Sequence, residues 1–357
     1  MPVSGDGVPE ALPPVSVIVV CTNERRFLSD CLGSLERQSY PRLEVLLVDN
    51  NSEDGSVEYV REHFPRVRIV SAGHNLGYAS ANNLGFRSAQ GDLLIVLNPD
   101  TEVEPDFVSA LVAAFEDPRV GLATPRILYF EDRGRVNTCG NDIHWSCIAY
   151  CRGLDQPAGN YDAPVPVSAI SGCAFMVRGS LLKELGAFDD DFFIYLEDTD
   201  LSLRYRLAGY DIRYVPDSIV YHRYGVRLTP GKFFLIERNR RLVVLKNFRW
   251  RTILSLIPSL FLTGCLMWLY ALARGPAFVR SKVRAQLWPY LNWRRVRDKR
   301  RQVQRLRRRP DRDLVRLLKS DFPFEQLAAG NRLVKALSGP LNGLYSVISL
   351  PTRLLAA

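Results

Sequence analysis

Three short apolar runs constrain this chain more than any other feature. Val15–Val20 reads VSVIVV, Glu44–Val48 reads EVLLV and Leu93–Leu97 reads LLIVL. Runs of this length between turn residues are the mark of strands buried on both faces. Stretches with helical spacing alternate with them. Leu28–Gln38 carries Leu28, Leu32 and Leu35; Ser56–His63 follows the cap cluster NSEDGS; Ala79–Ala89 and Phe107–Phe115 follow in turn. Val67–Val70 reads as a further short strand. Strands that alternate with helices predict an α/β fold with a mostly parallel, twisted sheet covered on both faces. In such sheets ligands lie beyond the carboxyl ends of the strands.

The polar residues at those ends are therefore the first candidates for function. The first run stops at Thr22-Asn23-Glu24, the second at Asp49-Asn50-Asn51, the third at Asn98-Pro99-Asp100. One such stop is an ordinary turn; three at one edge describe either three turns or one site. Asp49 can accept from a base N–H or a ribose hydroxyl. Asp100 is a hard oxygen ligand of the kind Mg²⁺ or Mn²⁺ takes beside a diphosphate. Between them lies HNLGYASANNLG, His74 to Gly85, whose small residues allow close approach. Neither GxxxxGK[ST] nor a GxGxxG after the first strand is present, so the common triphosphate and dinucleotide fingerprints are missing.

A second acidic cluster lies in FDDDFFIYLEDTDLSLR, Phe188 to Arg204. Glu197, Asp198 and Asp200 open a predicted helix, and capping accounts for one of them. A carboxylate beside the rings of Phe192, Phe193 and Tyr195 has a raised pKa and can act as a base. IRYVPDSIVYH reads as two short strands that end at His222, a packed residue or a ligand. CGNDIHWSCIAYC places Cys139, His144, Cys147 and Cys151 close together, but the spacing matches no common zinc motif; buried thiols are the plainer reading.

The rest of the chain is of another kind. Thr252–Ala273 holds 22 residues without a charge, enough to cross a bilayer or to form a buried core helix. Both flanks are basic, against a single span under the positive-inside rule. A break at Pro258 would make a re-entrant or in-plane hairpin and keep both flanks on one side. Residues 274–320 carry 17 Lys/Arg against three Asp, an excess of 14; with a chain total of +9, the remainder carries −5. A basic tail on a mildly acidic body points to an anionic surface, membrane or nucleic acid. Seven cysteines, an odd number, argue for a reducing compartment. Residues 1–14, rich in Pro and Gly, show no signal-peptide core and read as a flexible tail.

Taken in order, VSVIVVCTNE, VLLVDNNSEDGS, NLGYASANNLG, LLIVLNPDT, SGCAFMVR, GAFDDDFFIYLEDTDLSLRYRLAGY and YHRYG resemble a family 2 inverting glycosyltransferase, in its rhamnosyltransferase-like branch, over about Val15 to Gly225. The resemblance implies a GT-A nucleotide-sugar-binding fold. It implies that Thr22, Asn23 and Glu24 line the nucleotide pocket and that Asp49 holds the base. Asn75, Gly77 and Asn82 would lie by the nucleotide and diphosphate. Asn98-Pro99-Asp100 takes the place of the family's Asp-x-Asp motif, with Asp100 on a Mg²⁺ or Mn²⁺ ion and Asn98 replacing the first acid. Asp198, from the Glu197-Asp198 pair, would be the general base, and His222 would sit by the diphosphate or the metal.

The expected organisation is a tail at 1–14, a GT-A domain at 15–225, a connecting helix at 226–251, a membrane-inserting segment at 252–273 and a basic helical tail at 274–357. The expected partners are a nucleotide-sugar donor, a lipid-linked or glycan acceptor and an anionic membrane surface, at the cytoplasmic face of the cell membrane, with no nucleic acid. Two rivals stand beside this reading. One is a nucleic-acid-binding protein that uses the Arg-rich tail; the other is a sugar nucleotidyltransferase, for which CTNERRFL lacks a Gly-rich loop.

Overall fold

The computed structural model describes residues 12–225, 227–324 and 332–354, without the side chains of 332–335. Most of the expected N-terminal tail, and residues 325–331 and 355–357 of the basic tail, lie outside the described residues.

The first elements are β1 (Val15–Cys21), α1 (Arg25–Glu36), β2 (Leu43–Asp49), α2 (Ser56–His63), β3 (Arg68–Ser71) and α3 (Gly77–Ser88). There follow β4 (Leu93–Leu97), β5 (Thr101–Val103), α4 (Phe107–Ala113), β6 (Val120–Tyr129) and β7 (Val136–Thr138). Next are β8 (Asn141–His144), β9 (Ala149–Cys151), β10 (Ala174–Arg178), α5 (Gly179–Leu185), α6 (Glu197–Leu207) and β11 (Asp211–His222). The C-terminal part holds α7 (Pro230–Asn247), α8 (Trp250–Arg274), α9 (Pro276–Leu291), α10 (Trp293–Arg305), α11 (Asp311–Val315), β12 (Leu318–Lys319), α12 (Arg332–Ile348) and α13 (Leu350–Leu354).

The chain divides into two compact units. The first comprises the described part of Met1–Gly140 with Cys151–Leu201 and Tyr210–Gly225. Its sheet runs β3-β2-β1-β4-β10-β6-β11-β5, with β7 on β6. β3, β2, β1 and β4 are mutually parallel. Beyond them the sheet is mixed: β10 is antiparallel to β4 and β6, β11 is parallel to β6, and β5 is antiparallel to β11. The alternation of strand and helix holds only as far as β4, and the parallel part ends with it. β11 is one strand rather than two, with an irregularity between Val215 and Ile219 where Pro216 interrupts the ladder.

Alternation along β1 builds both layers. Val15, Val17, Val19 and Cys21 join Leu28, Leu32, Leu47, Ile95 and Phe107 in one core beneath α1 and α4. Ile18 points the other way, against Gly85 of α3, where a Cβ would overlap its methyl group. Gly85 thus sets how closely α3 can approach the sheet.

The second unit comprises Asn141–Tyr150, Ser202–Gly209 and the described part of Val226–Ala357. β12, β8 and β9 form its small sheet. α8 is one continuous helix through Pro258, so the expected hairpin is not formed. A proline removes one N–H, and the rest of the ladder carries on past it. Among the described residues α8 is the one helix long and apolar enough to cross a membrane. Its faces are reversed relative to a soluble core helix. Thr252, Ser259 and Thr263 are buried with Leu256 and Ala271, while Leu254, Ile257, Phe261, Leu269 and Leu272 are exposed. The buried hydroxyls have partners: Thr263 Oγ1 lies 2.6 Å from Tyr345 Oη, and Thr252 Oγ1 donates to Asp311 Oδ2 at 2.5 Å.

Candidate active site

Register brings the strand ends to one edge. Cys21 pairs with Asp49, and Val19 with Leu97, so the loops after β1, β2 and β4 leave the sheet side by side. Asn50 ties three segments together. Its Nδ2 donates to Thr22 Oγ1 at 3.0 Å and to Asn75 Oδ1 at 3.1 Å, and its Oδ1 accepts from Leu76 N at 2.8 Å. Asn23, with φ of 58°, accepts from Glu53 N at 2.7 Å, while Asp49 Oδ1 closes its own turn by accepting from Ser52 N at 2.9 Å. Glu24 is half-buried. Burial first, and then the negative charge of Asp100, push its pKa up to about 7.

Asp100 forms the next corner with His222. Its Oδ1 is buried, has no hydrogen-bond partner, and lies 3.4 Å from His222 Nε2. His222 Nδ1 lies 2.9 Å from Asn137 Oδ1. With the ring proton given to Asn137, Nε2 turns a lone pair toward the orphaned carboxylate oxygen. Two acceptors that face each other across 3.4 Å fit a divalent cation. Among the described residues no cluster of three or more such ligands occurs, so the chain offers this pair and no closed cage. Asn98 is half-buried, and its side chain makes no hydrogen bond to the described residues; its carbonyl accepts from Thr101 Oγ1 at 2.6 Å.

Glu197 and Asp198 stand at the start of α6. Asp198 Oδ2 accepts from Gly172 N at 3.0 Å, and its Oδ1 from Thr199 N at 2.6 Å and Thr199 Oγ1 at 3.2 Å. Glu197 is 4% exposed, and its Oε2 has no partner. Burial raises the pKa of both acids; for Glu197 the neighbouring Asp198 charge adds to it and the shift is large. The three donors on Asp198 favour its ionised form, so Glu197 is the member held neutral. Gly172 links this corner to α3, because its carbonyl accepts from Tyr78 Oη.

The loop before the pair is strained and clamped. Phe193, Tyr195 and Leu196 all have φ between 61° and 73°, a conformation that L-residues rarely adopt. α3 holds the loop there. Ala79 N donates to Phe193 O at 3.0 Å; Ser80 Oγ and Asn83 Nδ2 both donate to Asp190 Oδ1 at 2.8 Å. Gly77, with φ of 77°, lies beneath the Phe193 ring, where a Cβ would overlap it. The glycine makes room for a ring here. Asn82 is buried within α3, its Nδ2 on Tyr78 O at 2.9 Å and its Oδ1 without a partner.

Each expected site residue thus lies on the strand-end loops, on α3 or its entry, at the start of α6, or at the end of β11. Asn50, Asn83, Tyr78, Gly172 and Asn137 were not among them. Asn50 was named with the strand-end stop, and Tyr78, Asn83 and Gly172 lie inside quoted stretches, but none of them was given a role; Asn137 lies outside those stretches. The four residues of the zinc reading do not converge. His144 is a core histidine, with Nδ1 2.8 Å from Ser146 Oγ and its pKa pushed down to about 4 by burial.

The family model for "Glycosyl transferase family 2" matches residues 16–186. The chain is 31% identical over 235 residues to an N-acetylglucosaminyl-diphospho-decaprenol L-rhamnosyltransferase of Mycobacterium tuberculosis, covering 58% of this chain and 75% of that one. It is 30% identical over 230 residues to an N-acetylglucosaminyltransferase of Sinorhizobium fredii, covering 61% and 54%. In fold it is similar to GalNAc-T7 crystallised with UDP, GalNAc and Mn²⁺, with TM-score 0.57, 23% identity and coverage of 67% and 48%. It is also similar in fold to S. aureus TarS in complex with UDP-GlcNAc, with TM-score 0.54, 15% identity and coverage of 96% and 92%.

Proposed function

The chain belongs to glycosyl transferase family 2, and on that premise we propose how this nucleotide-sugar-dependent enzyme works. It moves a sugar, with inversion, to a hydroxyl of a lipid-linked or glycan acceptor in cell-surface polysaccharide synthesis. L-rhamnose is the first donor sugar to test, after the relative in M. tuberculosis. The observation that carries the reading is the Glu197–Asp198 pair: a half-buried carboxylate fixed by three donors, next to a buried carboxyl with one orphaned oxygen.

Asp198 takes the proton from the acceptor hydroxyl. The freed oxygen pair attacks the anomeric carbon, and the bond from that carbon to the diphosphate oxygen breaks on the opposite face. The nucleoside diphosphate leaves with the bonding electrons. Glu197 stays protonated and keeps a second negative charge away from the base. Asp49 holds the nucleobase or ribose; Thr22, Asn23 and Glu24, with Asn75, Gly77 and Asn82, shape the nucleotide pocket. Asn98 reaches the ribose with its unengaged amide. Asp100 and His222 would hold a Mg²⁺ or Mn²⁺ ion, which when bound neutralises charge on the leaving diphosphate. The test is a panel of nucleotide-sugars scored for protection against thermal unfolding, with and without Mn²⁺. A protecting donor is then turned over. Release of nucleoside diphosphate supports the reading; release of pyrophosphate would overturn it in favour of nucleotidyl transfer.

The second unit supports attachment to the cytoplasmic face of the membrane. α8, 25 residues and about 37 Å long, turns small polar residues inward and large apolar ones outward. Both of its flanks are basic, so it lies in the plane of the interface with both on one side. The rival nucleic-acid reading would use the basic tail, part of which is structural: Arg300 Nη1 donates to Phe248 O at 2.6 Å, Arg307 Nη2 to Asn247 O at 2.6 Å and Arg309 Nη2 to Gly209 O at 2.5 Å, while Arg294, Arg295, Arg297 and Arg301 are exposed. Phe261→Ser combined with Leu254→Ser and Ile257→Ser should move the protein to the soluble fraction. Undiminished pelleting with membranes would end the reading.

A further inference from the structure

The second unit contains a cavity of about 510 Å³ that the transfer reaction does not use. Helices α7, α8 and α9 and the first residue of α10 line it, and it is open on one side. Val244, Leu245, Leu260 and Leu287 make its apolar wall, and Arg241 and Trp293 stand at its side. A volume of this order is typical of small-molecule sites, roughly 300–1,000 Å³.

The charge around this cavity is out of balance. Glu237 is 1% exposed and is gripped by Arg240 Nη2, 3.1 Å away, and by Lys282 Nζ. One acid therefore stands against three cations, Arg240, Lys282 and Arg241, which leaves an excess of two positive charges. Arg240 and Lys282 are committed to Glu237. Arg241 is the remaining one: among the described residues no acid lies within 4.0 Å of its guanidinium. Burial, and then the neighbouring Arg240 charge, push its pKa down. A half-buried guanidinium whose neighbouring acid, Glu237, is already gripped by two other cations, at the side of an apolar pocket, calls for an anion that carries hydrocarbon. A guanidinium fork matches carboxylate and phosphate alike, and phosphate is the anion that a membrane surface supplies.

The surroundings say where that hydrocarbon comes from. Leu287 is 50% exposed, Tyr290 78% and Trp293 41%, and Trp250 at the start of α8 is 50% exposed. Aromatic residues beside a broad apolar surface are the signature of the lipid interface. We propose that this cavity is a binding site for an anionic membrane phospholipid, whose phosphate sits on Arg241 and whose acyl chain enters between Leu245, Leu260 and Leu287. The proposal rests on the membrane-surface reading of this unit.

The full-length protein is tested by flotation with vesicles of phosphatidylcholine alone or mixed with phosphatidylglycerol, and by thermal protection with short-chain phosphatidylglycerol. Arg241→Gln should lower affinity for the mixed vesicles by more than the roughly fivefold that the loss of one surface cation costs, and should abolish protection by the short-chain lipid. Arg241→Lys should keep both in part. Leu287→Trp, which fills the cavity, should abolish short-chain protection and leave flotation intact; Leu287→Phe serves if the larger ring unfolds the unit. Wild-type protein that floats with mixed vesicles but gains nothing from the short-chain lipid would overturn the site and spare the membrane reading. Failure to float at all would end both. Stronger protection by a short prenyl phosphate than by phosphatidylglycerol would replace the phospholipid with a prenyl-linked acceptor and overturn the proposal. An Arg241→Gln loss no greater than that of exposed Arg301→Gln would reduce the effect to general surface charge and also overturn it.

Discussion

Glu197 and Glu237 are both almost fully buried, and their surroundings drive them in opposite directions. Glu197 has Asp198 beside it and an orphaned oxygen, and its pKa lies well above the usual carboxylate range. Glu237 suffers the same desolvation, but Arg240 and Lys282 outweigh it and hold its pKa at about 2. Burial alone therefore does not mark a functional acid. A paired buried acid stays charged and holds helices together; a buried acid beside a second one stays neutral and leaves the charge to its neighbour.

The largest effect should come from Asp198→Asn. Removal of a positioned general base costs roughly 10²–10⁴-fold in kcat, and donor binding measured by calorimetry should stay near wild type. Glu197→Gln should cost far less, because it replaces an already neutral carboxyl by a neutral amide. An equal loss in both variants would erase the division of labour within the pair. The acid limb of the pH–rate profile should lie above the ordinary carboxylate range, because burial raises the pKa of Asp198.

Glu237 sets the structural counterpart. Lys282→Met removes one of its two cations, and breaking a buried pair costs about 3–5 kcal/mol, with the low end expected here since Arg240 remains. The double variant Glu237→Gln/Lys282→Met should recover much of that loss in a denaturant titration. A Lys282→Met change within the scatter of surface mutations would mean that water, and not the protein, solvates this cluster.

The metal corner comes next. Asp100→Asn should cost more activity than Asn98→Asp, since Asp100 Oδ1 is the orphaned oxygen that faces His222. Asn98→Asp should be tolerated and should tighten Mn²⁺ binding, read from titration of thermal stability against Mn²⁺. Weaker Mn²⁺ binding in that variant would place Asn98 away from the ion.

How much of this was legible in the sequence follows from the range of each signal. The strand ends were legible because an apolar run and its polar stop are neighbours in the chain. The acids that open α6 were legible for the same reason. The scaffold beneath them was not. Asn83 holds Phe188 across 105 positions, Tyr78 reaches Gly172 across 94, and Asn137 orients His222 across 85. Each looks like any polar residue until the fold supplies its partner. The left-handed loop gave no warning either, since Phe193, Tyr195 and Leu196 occupy positions where glycine would have signalled the turn. α8 shows the reverse error. Its composition was plain, but the seam of Thr252, Ser259 and Thr263 becomes a packing face only once Asp311 and Tyr345 are in place.

The smallest effect carries the same contrast to Glu24, another acid with a raised pKa, and predicts opposite signs for it and for Glu237. Glu24 has its pKa raised from 4.5 to about 7, by burial and then by Asp100. The folded chain therefore binds that proton more tightly than the unfolded chain. Stability from the protonated group is full below pH 4.5 and is lost as pH rises through about 7. Glu237, lowered from 4.5 to about 2, does the reverse: its contribution is full above pH 4.5 and is lost as pH falls through about 2. Glu24→Gln should thus leave Tm unchanged in acid and raise it above neutrality, in buffer free of divalent ions. Glu237→Gln should lower Tm near neutrality and matter progressively less toward strong acid. If Glu24→Gln gave no gain at high pH, the Glu24 carboxylate would already be solvated there, and the strand-end edge would store less electrostatic free energy than its geometry implies.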